Sequence, residues 1–179
     1  MKKVFLSTLL VLVLLTSLFS QAFAADAQVA DAAVRKDLAA VRQATAKYHN
    51  VEAALADGYL ALPDCVSVPG VGAMGIHYIN PALAVDPAIS LTSPEVLLYA
   101  PTEDGVRLVG VEYFQALGAP GDPVPPNPPA APILFGRPFD GPMEGHDPQM
   151  PPHYDLHVWV WQANPAGIFV PLNANVTCQ

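Results

Sequence analysis

The sequence predicts an α+β domain: a long N-terminal helix packed on an antiparallel sheet of about five strands, with a long proline-rich loop between two hairpins. Three observations carry this reading. An Ala-rich segment from Asp26 to about Leu60 repeats apolar residues at three- and four-residue steps. Further on, apolar runs with period-two alternation bracket short Asp, Asn, Pro and Gly turns. Between them, residues 118–152 hold twelve prolines in thirty-five residues.

Ahead of the helix, Lys2 and Lys3, an apolar run over 4–19 and the small-x-small motif Ala22-Phe23-Ala24 read as a secretory signal peptide, residues 1–24. The apolar run is short for a membrane span. The reading is therefore a secreted or periplasmic protein, starting near Ala25. The single domain 25–179 has about 155 residues, enough for a real core. In the helix, Val34, Leu38, Val41, Thr45, Tyr48, Val51 and Leu55 form the stripe that would face a sheet, and Asp57-Gly58 ends it.

Residues 61–75, with Pro63, Pro69, Gly70, Gly72 and Gly75, read as loop. Strands are expected at 76–80, at 95–100 and 106–115 around Thr102-Glu103-Asp104-Gly105, and at 153–163 and 168–172 around Asn164-Pro165-Ala166-Gly167. In the proline-rich segment, Ile133, Leu134, Phe135, Phe139 and Met143 are spaced as a fixed cover would need.

Charge and cysteine content narrow the function classes. The formal charge is −8, and loss of Lys2 and Lys3 makes it −10, because residues 1–24 hold no Asp or Glu. Such a chain repels phosphate backbones and anionic lipid, so neither nucleic acid nor membrane is an expected partner. A metal ion or small ligand is. Cys65 and Cys178 read as one disulfide, the usual use of an even, sparse count in an exported protein.

The chemistry concentrates in His153-Tyr154-Asp155-Leu156-His157-Val158-Trp159-Val160-Trp161. On a strand, Tyr154, Leu156, Val158 and Val160 face one side, and His153, Asp155, His157, Trp159 and Trp161 the other. Imidazole and carboxylate suit zinc, copper, iron or manganese, and three such ligands leave a position open. Asp155 can share an ion with either neighbouring histidine, whereas His153 and His157 are about 13 Å apart along a strand. Other elements must supply the rest. The candidate ligands are His157 and Asp155, then His77 and Glu112, then His146 and His153. Arg107 or Arg137 could equally pair with a buried Glu112.

Two alternatives stay open. The same residues could form a hydrogen-bonded structural His/Asp cluster. Trp159, Trp161, Tyr78 and Tyr113 could wall a metal-free pocket for an apolar or sugar-like ligand. Gly70-Val71-Gly72-Ala73-Met74-Gly75 fits GxGxxG, but the following Ile76-His77-Tyr78-Ile79-Asn80-Pro81 cannot be the helix a dinucleotide site requires. No serine sits in a nucleophile elbow, so catalysis would require an open metal site.

Four motifs, Ala56-Asp57-Gly58-Tyr59, Gly72-Ala73-Met74-Gly75-Ile76-His77-Tyr78, Gly110-Val111-Glu112-Tyr113-Phe114 and the 153–159 run, resemble those of an uncharacterised family of secreted bacterial proteins. The likeness covers nearly the whole chain after residue 24. It implies export and one coherent domain, and brings no activity or cofactor with it.

Overall fold

The computed structural model describes residues 31–179. The expected signal peptide, its cleavage point and residues 26–30 of the expected helix lie outside the described residues. The chain divides into two units, 1–37 and 38–179. In the first, residues 31–37 are helical and Arg35 pairs with Asp31 one turn earlier. The second carries the whole sheet.

There, helix α1 (38–45) buries Leu38, Val41 and Thr45. The helix expected to reach Leu60 is corrected to three short pieces. After α1 comes a single 3-10 turn, Ala46–His49, and then α2, Val51–Ala56. Two hydrogen bonds break the run, one from far along the chain and one local. The Tyr99 hydroxyl donates to the Tyr48 carbonyl at 2.6 Å, which removes that acceptor from a helical ladder. Asn50 sits in extended backbone and its side chain accepts from the Glu52 N–H, capping a new helix. The apolar spacing runs on across the break because Tyr48 and Ala54 are both buried.

Six strands, rather than about five, form one antiparallel sheet in the order β1-β2-β3-β4-β8-β7. They are β1 (Leu60–Val68), β2 (Gly72–Ile79), β3 (Val96–Thr102), β4 (Gly105–Ala116), β7 (Asp140–Met143) and β8 (His153–Val158). A four-residue helix, α3 (Pro81–Ala84), follows β2. Strands β5 (Ile133–Leu134) and β6 (Arg137–Pro138) make a separate two-stranded ribbon. The β3–β4 hairpin turns at Glu103-Asp104, as its turn residues imply.

Two expectations about strands are corrected. Residues 61–75 are not loop, because β1 occupies most of them. It is the sheet's edge, largely exposed, and its pairing slips between Ala61 and Cys65 around Pro63, which has no N–H to donate. Its exposure removes the alternation by which a strand is recognised. The second hairpin is not formed either, since β8 ends at Val158. Trp161 and Gln162 instead donate to the Val109 carbonyl, and Asn173 bridges Ala73.

Register divides the sheet into two buried faces. Tyr78, Leu97, Val111 and Val158 lie in one row, with Tyr113 opposite Leu156 beside it. Tyr99 on this face meets the Tyr78 ring at a tilt, centroids 4.5 Å apart, and its hydroxyl donates to the Tyr48 carbonyl. The proline-rich segment reaches the same side, where Phe135 and Phe139 lie 6.0 and 6.3 Å from the Tyr113 ring. Both phenylalanines are buried, but Ile133, expected to pack with them, is 68 % exposed because its two-residue strand turns it outward. The other face carries a core of Val96, Leu98, Ala100, Phe114, Trp159 and Val176.

Cys65 and Cys178 are bonded, with Cα atoms 5.7 Å apart, tying the C-terminus to β1. The disulfide fits an oxidising compartment. The tail runs so close to β2 that a Cβ on Gly72 would stand 2.5 Å from the Asn173 carbonyl. Among the described residues, no helix is long and apolar enough to cross a membrane.

Candidate metal centre

The second face is apolar except for one band. Gly110, Glu112 and Phe114 alternate along β4, and Glu112 pairs in register with His157 of β8. His77 pairs with Leu98, which pairs with Gly110, so His77 shares this face from two strands away. Gly110 leaves room there. A Cβ on it would stand 3.3 Å from the Trp159 ring and 3.4 Å from Leu98.

His77, Glu112 and His157 bring one ligand atom each to within 4.8 Å of one another. Glu112 Oε2 lies 3.2 Å from His77 Nε2 and 3.7 Å from His157 Nε2. Ligands held about 2.1 Å from one tetrahedral ion stand roughly 3.4 Å apart, so these two distances bracket what an ion requires. Glu112 and His157 are almost wholly enclosed, and the His77 side chain, 14 % exposed, is the most open of the three.

Three of the inner atoms are unsatisfied. Glu112 Oε2 and both ring nitrogens of His157 are buried without a hydrogen-bond partner. Native proteins seldom leave such atoms in a core, because each forfeits its hydration. The arginines that might have paired with Glu112 are engaged elsewhere. Arg107 donates to Gln162, and Arg137 lies over the Phe169 ring.

Electrostatics agrees with the geometry. Burial pushes the Glu112 carboxyl up, but the charge of His157 and the contact with His77 outweigh it and hold the group at about 2. Burial lowers His77, yet Glu112, Asp155 and the Gly75 carbonyl raise it above the ordinary histidine value. The site favours positive charge opposite Glu112.

The remaining candidates extend the band along β8. Asp155 does not face the Nε2 side of His157 where the three groups meet. Its Oδ1 lies 4.0 Å from His157 Nδ1. His153, fully buried, stacks on Phe114 and holds its Nε2 3.8 Å from Asp155 Oδ2. His146, exposed on the proline-rich segment, meets the His153 ring edge-on at 5.2 Å.

The four expected pocket-wall residues do not share a pocket. Tyr78 and Tyr113 are core residues of the opposite face, because register sets them beside Leu97 and Leu156. Trp159 and Trp161 border a cleft of about 350 Å³ with Arg42 and Ile168, and each indole N–H already has a partner: Val170 O and Thr45 Oγ1.

Glu95, expected only as the start of the strand 95–100, was not among the candidate site residues. It is buried, accepts the Phe114 N–H at 3.1 Å, and burial raises it to about 7. The sign of it was a lone carboxylate abutting the apolar run Val96–Ala100.

Two imidazoles and one carboxylate can bind a divalent transition metal and leave a coordination position for water or another ligand. No protein family, curated protein or solved structure matches the chain. Fold and site together define an α+β protein with a disulfide and a buried His/Glu cluster able to hold a metal ion.

Proposed function

We propose that this is an exported metal-binding protein that holds one divalent transition-metal ion through His77 Nε2, Glu112 Oε2 and His157 Nε2. The Asp155 carboxylate, with Oδ1 4.0 Å from His157 Nδ1, would favour by its charge the tautomer protonated at Nδ1, which leaves Nε2 free for the ion. The observation that carries the reading is the cluster of orphaned buried atoms, Glu112 Oε2 and His157 Nε2, facing one another 3.7 Å apart. A hydrogen-bonded structural cluster would leave them satisfied. The negative net charge and the expected signal peptide support a role outside the cytoplasm, where the ion is taken up or retained.

The test is titration of zinc, copper and manganese into chelator-treated protein, followed by calorimetry and thermal melting. One of these ions should bind at micromolar concentration and raise the melting temperature. Glu112→Gln, nearly isosteric, should abolish that binding while the fold survives. Absence of binding by all three metals would sink the proposal.

A further inference from the structure

Cations are scarce in this chain, with 8 Lys and Arg against 16 Asp and Glu. Arg35 and Lys47 pair with Asp31 and Asp57. Among the described residues, Arg42 and Arg107 meet no carboxylate within ion-pair distance, and their bonds run to neutral acceptors. Both are anchored at one place, the cleft of about 350 Å³ beside Trp161. Arg42 lines it and donates from Nε to the Val160 carbonyl at 2.8 Å. That bond holds the guanidinium and leaves both Nη groups to donate elsewhere. Arg107 stands behind Gln162 and donates from Nη1 to Gln162 Oε1 at 2.9 Å. Arginine can only donate, so the amide must turn its oxygen that way, and Gln162 Nε2 remains as a further donor at the cleft.

No Asp or Glu lines the cleft. Asn164, its other polar side chain, is already engaged with the Val170 and Leu172 carbonyls and the Ala166 N–H. Trp161 supplies an aromatic wall. Its indole is half-buried and fixed, because Nε1 donates to Thr45 Oγ1 and the His49 ring meets it edge-on at 4.3 Å. Donors without a matching acceptor, beside an indole, select an oxyanion attached to a ring. The volume lies at the small end of the range for ligand pockets, about 300–1,000 Å³.

We infer that this cleft binds a small organic carboxylate that carries a ring, an aromatic acid or an acidic sugar. The Arg42 Nη groups and Gln162 Nε2 hold the carboxylate, and the ring lies against Trp161. Arg107 positions the Gln162 amide and adds positive potential. None of these residues belongs to the metal centre, so the two sites load independently.

The experiment titrates benzoate, glucuronate and inorganic phosphate into the chelator-treated full chain. Calorimetry gives the affinity, and fluorescence reports the site directly because both tryptophans of the chain border the cleft. Benzoate or glucuronate should bind one per chain at millimolar concentration or below. The uncharged counterpart, benzamide or glucose, should bind at least about tenfold more weakly, the scale of one hydrogen bond to a charged group. Arg42→Gln should cost the same factor, and Arg107→Gln should also weaken binding. Both side chains are exposed, and circular dichroism checks that the variants fold. Glu112→Gln should bind the ring acid as the wild type does, so failure of the cleft and failure of the metal centre are read separately. No saturable binding of benzoate or glucuronate overturns the proposal. So does unchanged affinity in Arg42→Gln, equal affinity for the uncharged counterpart, or phosphate bound as tightly as the ring acids.

Discussion

Glu112 and His157 lie forty-five positions apart in the chain and directly opposite one another on β4 and β8, which sets Glu112 Oε2 3.7 Å from His157 Nε2. Glu112 and the neighbouring histidines His77 and His153 are shifted in opposite directions, and this determines how stability depends on pH.

In the metal-free protein, Glu112 is held at about 2 against an ordinary 4.5, so its contribution is present above pH 4.5 and lost as pH falls through 2. His77 and His153 are raised above 6.5, so theirs is present below 6.5 and lost as pH rises through the raised values. Metal-free protein should therefore melt highest between pH 4.5 and 6.5 and lose stability as pH rises beyond that range. Zinc should reverse the alkaline loss, because protons compete with the metal for imidazole. Melting temperatures across pH with and without zinc check this, and a metal-free protein that gains stability above pH 7 contradicts it.

Glu95 adds to the same alkaline loss. Its carboxyl is raised to about 7, so its best contribution is below pH 4.5 and is lost as pH rises to 7. Glu95→Gln keeps an acceptor for the Phe114 N–H and removes the buried charge. The variant should gain up to roughly 3 kcal/mol on the wild type at pH 8, at about 1.36 kcal/mol per unit, and little at pH 4. Urea unfolding at both pH values measures the difference. Equal gains would show that burial does not govern this group.

Within the proline-rich segment, Phe139 and Ile133 should behave oppositely. Phe139 is buried beside Tyr113, so Phe139→Ala should destabilise by about 3–5 kcal/mol. Ile133 is largely exposed, and Ile133→Ala should stay within about 0.5 kcal/mol. Chemical denaturation of the two variants separates them, and limited proteolysis of Phe139→Ala should show cutting within 118–152.

The disulfide spans 113 residues, and in the chain-entropy view closing such a loop stabilises by roughly 4–5 kcal/mol. Denatured, unreduced protein should show no free thiol. The double variant Cys65→Ala, Cys178→Ala should unfold at lower denaturant and expose the tail that bridges Ala73. Two titratable thiols in the wild type would rule the bond out.

Legibility in the sequence followed burial and locality. The β3–β4 hairpin was readable because its turn residues and two apolar runs lie within about twenty residues of one another. The break at Asn50 was not, because the apolar spacing continues past it and the deciding bond comes from Tyr99. Strand β1 was hidden because an exposed edge carries no alternation.

The sequence by itself determined that His153, Asp155 and His157 share a face, since a strand repeats every two residues wherever it is placed. It also determined that two cysteines were available to pair. Only the tertiary structure decided which groups meet. His77 reaches Glu112 because β3 lies between β2 and β4, and Asp155 takes the other side of His157 because register with β4 puts Glu112 opposite that ring. Strand order and register come from pairing and packing over the whole sheet, which no local spacing encodes.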